Sequence, residues 1–215
     1  MKDKVIIDLQ TVNQRHFYQR VKRLLDIVLS FMGLIILAPV FLLVALAIKL
    51  DDGGPVFFSQ ERIGKNGRPF TIYKFRSMQA DASQKQAQLV QYNELSGPMF
   101  KIKHDPRVTR VGKFIRKCSL DELPQLVNVL CGEMSLVGPR PPLKNEVDQY
   151  SPYDKQRLLV MPGCTGLWQV SERNQTGFAG MVRRDLEYIQ KADIWLDIKI
   201  ILKTIKIMLV PNSAY

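Results

Sequence analysis

Residues 24–50 read LLDIVLSFMGLIILAPVFLLVALAIKL, and the fold turns on how this stretch is housed. Between Asp26 and Lys49 stand 22 residues without a charge, 15 of them Leu, Ile, Val or Phe, a pattern that belongs in a bilayer. Pro39 interrupts it, because proline removes one helical hydrogen bond and pushes its ring at the preceding turn. The stretch therefore reads as two half-helices, Leu24–Ala38 and Val40–Leu50. At about 22 and about 16 Å each is short of a hydrocarbon core of about 30 Å, although a straight helix through both would reach across. Charge offers better leverage. Arg15, Arg20, Lys22 and Arg23 precede the stretch, and Lys49, Arg62, Lys65 and Arg68 follow it. A spanning helix usually shows a basic asymmetry, and this one shows none. The expected arrangement is a helix-break-helix at Ala38–Pro39 that enters and leaves by one cytoplasmic face; an ordinary kinked spanning helix is the alternative.

The rest of the chain is bounded by composition. Roughly 165 residues follow the apolar stretch, enough for one domain with its own core. A formal charge of +11 implies an anionic partner. The apolar stretch favours lipid headgroups or phosphorylated substrates over nucleic acid. Three cysteines without metal-ligand spacing and two scattered histidines give no metal signature and suit reduced thiols in the cytoplasm. Four segments are expected: a basic interfacial approach over 1–23, the membrane segment over 24–50, a cytosolic domain over 51–192, and an amphipathic interfacial helix over 193–215. In the last, Lys199, Lys203 and Lys206 share one face.

Within the domain, Val56–Ser59 and Phe70–Phe75 flank Asn66-Gly67, which predicts a β-hairpin. Its second arm carries Lys74 and, one alternation on, Arg76, which fit a solvated strand face or a phosphate contact. Ala80–Leu95 is polar and helix-compatible. The run FKIKHDPRVTRVGKFIRK (100–117) is dense in cations but offers few aromatic platforms for bases, so it suits headgroups or phosphates. Next come Asp121 and Glu122. Ser119 and Glu122 have capping-box spacing, so a purely structural helix start accounts for the two acids, although Pro124 favours a start nearer Asp121. Alternatively, adjacent carboxylates beside so many cations suit a metal-assisted attack on a phosphate.

Asp121-Glu122-Leu123-Pro124-Gln125-Leu126, then residues 132–141 (GEMSLVGPRP), then residues 162–170 (PGCTGLWQV), form an ordered set of motifs. This set resembles the bacterial sugar transferase family, the monotopic phosphoglycosyl transferases, over the chain from about Val21 onward. The resemblance implies a monotopic α+β membrane enzyme with a re-entrant helix broken at Pro39. It makes Asp121 the nucleophile and Glu122 its acidic partner, with Mg2+ held by the pair. Arg116, Arg140 and Arg173, with Lys74 and Arg76, match family positions that would face phosphates.

The implied reaction moves a sugar 1-phosphate from a UDP-sugar to undecaprenyl phosphate, releasing UMP through a covalent aspartyl intermediate. It would be the first membrane step of exopolysaccharide, capsule or O-antigen synthesis, at the cytoplasmic face of the bacterial inner membrane. The motifs lean towards glucose or galactose as the sugar. UDP-sugar, undecaprenyl phosphate and the membrane are the expected partners, nucleic acid is not one, and a homodimer is left open. Three positions depart from the family pattern: Glu133 in place of Asp, Glu172 in place of Gly, and Ala38 in place of Ser before the proline. A rival reading from another class is a non-catalytic module that binds anionic lipid.

Overall fold

The computed structural model describes residues 6–8, 14–85, 87–94, 97–100, 102, 104–171 and 177–209. Helix α1 (His16–Ile36) begins eight residues before the apolar stretch, because the basic-aromatic approach is itself helical. It ends at Leu37, and α2 (Ala38–Asp52) starts at once, bent from α1 by 59°. Pro39 lies in the first turn of α2, where a missing N–H has no partner to lose. The break thus falls at Leu37, and Ala38 opens the second helix rather than closing the first. No single helix among the described residues is long and apolar enough to cross a membrane, but the bent pair is, by length and composition.

Two small sheets follow. Strands β1 (Phe57–Ile63) and β2 (Pro69–Phe75) pair antiparallel, Phe57 opposite Phe75 and Ile63 opposite Pro69. Asn66 takes φ 57° and Gly67 φ 77° in the connecting 3-10 turn, the left-handed conformations that the Asn-Gly pair accommodates. The expected hairpin is present, its first arm extended to Ile63. Over the polar segment 80–95 the expected helix is absent: the described residues form turns and one 3-10 helix, Ala87–Tyr92.

Helix α3 (Arg110–Lys117) is capped by Thr109, whose side chain accepts from Gly112 N. A 3-10 turn, Leu120–Glu122, leads to α4 (Gln125–Cys131). Then come β3 (Ser135–Val137), α5 (Lys144–Val147), α6 (Pro152–Lys155), β4 (Gly163–Thr165), α7 (Leu167–Ser171), α8 (Gly177–Lys191) and α9 (Ile194–Leu209). β3 and β4 pair parallel.

Three apolar clusters hold these pieces. α2 packs Val44 and Ile48 on Phe75 of the hairpin and Ile115 of α3, with Leu120 against the same cluster. Ile72, Val129 and Met134 join β2 to α4. Val137, Val182, Leu186, Ile189 and Ile200 join β3 to α8 and α9. The outward faces stay apolar: Phe31, Ile36, Leu42, Leu43 and Leu50 on the bent pair and Trp195, Leu202 and Leu209 on α9 are all more than half exposed. Lys199, Lys203 and Lys206 are exposed on α9 as well.

Candidate active site

Asp121 and Glu122 do not sit in the first turn of an α-helix, and the Ser119 capping box is not formed. Ser119 follows the end of α3 with φ 56°, its N–H bonded to the Arg116 carbonyl, and its side chain makes no cap bond. Two residues, Cys118 and Ser119, must turn the chain from one helix into the next. The left-handed conformation common at helix C-termini does this, and Glu122 N bonds the Ser119 carbonyl rather than its side chain. The acids instead occupy a single 3-10 turn whose flanks are both packed: Leu120 against α2, and α4 against the hairpin through Asn128. The buried Asn128 side chain accepts from Tyr73 N and donates to the Thr71 carbonyl and to Glu133 Oε2 at 2.7 Å. Asn128 is therefore the bridge between α4 and β2, and Glu133, in place of the shorter acid, holds its amide.

The hairpin delivers Lys74, whose Nζ lies 2.6 Å from Glu122 Oε1. Arg116, in the last turn of α3, adds a second positive charge felt by Asp121. Burial is the larger influence on Asp121. It raises the carboxyl to about 6, helped by the negative charge of Glu122, with Lys74 and Arg116 pulling the other way. Asp121 is thus a carboxyl raised above the usual carboxylate range, beside an acid already bonded to a lysine.

Arg140 stands in the loop after β3, with its guanidinium 3.2 Å from Glu146. Arg76 has a different occupation. It forms a two-pronged ion pair with Asp52 at the end of α2 and donates to the Pro55 and Met78 carbonyls. These bonds clip α2 to the hairpin and commit the side chain to the fold rather than to a phosphate. Gly54 packs against it so closely that an added Cβ would lie 2.6 Å from Arg76 Nη2. Arg173 and Glu172 lie outside the described residues. The structure therefore brings Asp121, Glu122, Lys74 and Arg116 together, places Arg140 beside Glu146, and sends Arg76 elsewhere.

The bacterial sugar transferase family model matches residues 17–211, a range that holds the dyad, the hairpin and both halves of the bent helix. The chain belongs to the bacterial sugar transferase family. It is 51% identical to the galactosyl transferase CpsE of Streptococcus agalactiae, over 90% of this chain and 43% of that protein. It is 45% identical to the undecaprenyl-phosphate galactose phosphotransferase of Salmonella typhimurium, over 90% of this chain and 41% of that protein. The exopolysaccharide production protein ExoY of Sinorhizobium fredii is 40% identical over 90% of this chain and 88% of its own length. The chain thus spans less than half of the first two relatives and most of the third.

Two basic residues of this family member were not singled out from the sequence as site residues. Arg62, on β1, is 9% exposed; its guanidinium donates to the Pro141 carbonyl and to Gln60, and it senses the charges of Arg140, Glu146 and Glu122. Arg157, 1% exposed, is paired with Asp185 at 2.5 Å and donates to the Arg140 carbonyl. A buried arginine after alternating strand residues reads locally as one more surface cation. Only the long-range pairing reveals it.

Among the described residues no three His, Cys, Asp or Glu side chains come together as a ready-made metal cage. That arrangement still fits magnesium, which is commonly held by one or two carboxylates with substrate phosphates and water completing its shell. Asp121 and Glu122 are the residues that would supply those carboxylates.

Proposed function

We propose that the chain transfers a hexose 1-phosphate, from UDP-glucose or UDP-galactose, to undecaprenyl phosphate with release of UMP. The observation that carries this reading is Asp121, a half-buried carboxylate raised to about 6 by desolvation in a turn flanked by Glu122, Lys74 and Arg116. A structural acid in such a cluster would be fully ion-paired and held low. Asp121 instead has burial and a neighbouring acid working against its charge, which keeps its electron pairs available to an electrophile.

A carboxylate oxygen of Asp121 attacks the sugar-bearing phosphorus of the UDP-sugar. The bond from that phosphorus to the bridging oxygen breaks, and UMP leaves with the electron pair. The Asp121–phosphosugar ester is then attacked at the same phosphorus by the undecaprenyl phosphate oxygen, which forms the lipid diphosphosugar and returns Asp121 as a carboxylate. Two steps avoid holding two anionic substrates in one site. Lys74 and Arg116 offset the charge gathered on the transferring phosphoryl group, and Arg140 faces a further phosphate. Glu122, held by Lys74, keeps that lysine beside the reacting centre. Mg2+, held by Asp121 and Glu122, would neutralise charge on the diphosphate.

The membrane seat is part of the same proposal. The bent pair α1–α2 enters and leaves the cytoplasmic leaflet on one side, and α9 lies in the interface on the face that carries Trp195 and Leu202, from which Lys199, Lys203 and Lys206 extend to headgroups. The apolar outward faces and the 59° bend support it. The reaction would open exopolysaccharide, capsule or O-antigen assembly. Incubating wild-type protein with UDP-glucose or UDP-galactose and no lipid should add one hexose phosphate to the peptide containing Asp121, and Asp121→Asn should release no UMP. An unmodified peptide after rapid quenching, with intersecting double-reciprocal lines in the two-substrate reaction, would replace this route with direct attack by the lipid phosphate.

A further inference from the structure

The loop Gly138-Pro139-Arg140-Pro141-Pro142 carries three prolines, so it has few N–H groups with which to build its own turn. Its carbonyls are held from outside. Arg157 Nη2 donates to the Arg140 carbonyl at 3.1 Å, Arg62 Nη1 to the Pro141 carbonyl at 3.1 Å, and Ile63 N to the Pro142 carbonyl at 2.9 Å. Three consecutive carbonyls thus receive donors from two distant elements, β1 and the turn after α6. On the side-chain side, Glu146 takes the Arg140 guanidinium and also accepts from Leu143 N. The start of the loop is closed by Gly138 N on the Thr165 carbonyl and Gly163 N on the Pro139 carbonyl.

Among the described residues Arg62 is also the one member of this group without an ion pair of its own. Glu146 is bonded to Arg140 and Glu122 to Lys74, while Arg62 meets only the neutral acceptors of Pro141 and Gln60, and its buried Nε has no partner among the described residues. A desolvated cation beside a second guanidinium is costly unless an anion completes the group.

We propose that Arg62, supported by Arg157, is a positioning residue: it fixes the Arg140 loop and places an unneutralised charge behind it, so that Arg140 captures a substrate phosphate. This rests on Arg140 facing a phosphate in the proposed reaction. The phosphate belongs to the nucleotide or to the lipid, and both are tested. Arg62 acts through Arg140, so removing both should cost no more than removing Arg140 alone.

The test is a double-mutant cycle on the full-length, detergent-solubilised protein. UMP and undecaprenyl phosphate are titrated separately into wild type, Arg62→Gln, Arg140→Ala and the double variant. Arg62→Gln should weaken one of the two ligands by roughly 10- to 100-fold, the size expected for a lost charge-assisted bond, and the double variant should bind as Arg140→Ala does. The ligand affected identifies the phosphate. Losses that multiply in the double variant, or Arg62→Gln binding both ligands as wild type does, would overturn the proposal. If Arg62→Gln does not fold, Arg62→Lys keeps the charge but cannot span Gln60 and Pro141; it should show the same non-additive loss with a cooperative melt, and wild-type affinity in it would overturn the proposal equally. A wild type that binds with this cycle yet releases no UMP from UDP-sugar would remove the proposed reaction and leave the positioning role standing.

Discussion

The two halves of the bent helix are attached to the domain by different physics. α1 is latched by polar groups: Arg15 donates to the Ile189, Gln190 and Ala192 carbonyls at the end of α8, and Arg23 to the Val129 and Leu130 carbonyls at the end of α4. Tyr18 and Lys22 both reach Asp197 of α9, and Asp26 accepts from Leu136 N. α2 is packed instead, with Val44 and Ile48 in a cluster with Phe75 and Ile115, and only its last residues, Asp51 and Asp52, make polar links, to Val111 N and Arg76. α1 therefore holds the helix that follows the dyad, through Arg23 on α4. α2 holds what precedes it, through Leu120 and α3. The Asp121–Glu122 turn is strung between them, and the break at Leu37 sets the distance between its two supports.

The latch breaks most expensively at Asp197. This carboxylate is 4% exposed and receives Lys22 at 2.8 Å, Tyr18 at 2.9 Å and Tyr188 at 2.7 Å. Asp197→Ala leaves the half-buried Lys22 ammonium without its acid and the Tyr18 and Tyr188 hydroxyls with only each other and the Val137 carbonyl, and should cost about 3–5 kcal/mol in denaturant unfolding. A loss under about 1 kcal/mol would mean that α1 is held by its apolar contacts, as α2 is. The packed half should respond to volume rather than charge. Ile48, 3% exposed, faces Phe75 and Ile115, and Ile48→Ala should cost about 2–4 kcal/mol and lower turnover through Leu120. The exposed neighbour Leu46 serves as control: Leu46→Ala in detergent should change stability by no more than about 0.5 kcal/mol. Equal losses would show that the exposed face of α2 is packed in solution.

This contrast marks how far the sequence could be read. The apolar run, its break and the Asn66-Gly67 hairpin are local signals, and each has its counterpart in the structure. α1 starts earlier than the apolar pattern predicts, because Arg15–Arg23 reads locally as a headgroup-level approach; Arg15 and Arg23 instead bond carbonyls more than 100 residues away, and Lys22 pairs with Asp197. The same holds for Arg76 and Arg62. Alternation along β2 suggested that Lys74 and Arg76 act together, yet Arg76 lies just past the strand, where Asp52 takes it. Nothing local in the sequence marks Asp197 or Asp185, which meet Lys22 and Arg157 only in the fold. Charge partners far apart in sequence leave no periodicity, whereas the motif around Asp121 does lie within one short segment.

The dyad itself gives a smaller effect with a definite sign. Asp121 is raised to about 6 in the folded protein, against 3.8 ordinarily, so the folded state holds this proton over a pH range in which the unfolded chain has released it. Stability from this group is therefore greatest at low pH and falls as pH rises through that window. Asp121→Asn removes the penalty and should raise the melting temperature at pH 7.5 by roughly 2–6 °C, with a much smaller gain near pH 4. In wild type, turnover should rise through a limb near pH 6 as the nucleophile loses its proton. A variant less stable than wild type at pH 7.5 would mean that Asp121 is bonded as a structural carboxylate, and that the two supports meet at a strut rather than at a reactive group.

The smallest effect is expected at Pro39, and it asks whether the bend is made by the proline or by the two attachments. Pro39 occupies the first turn of α2, so Pro39→Ala disturbs no existing bond and adds one N–H that would need the Ile35 carbonyl to straighten the pair. Straightening would have to pull α1 from Asp197 and Leu136 or α2 from Phe75 and Ile115, contacts that together far exceed one hydrogen bond of about 1 kcal/mol. Pro39→Ala should therefore change stability by less than about 1 kcal/mol, the remainder coming from the greater freedom of its unfolded chain. Cysteines placed near residues 20 and 66 should label from the same side of a membrane in the variant and the parent alike. Labelling from opposite sides in Pro39→Ala, with loss of UMP release, would show that the proline makes the bend and that docking of the two halves only follows it.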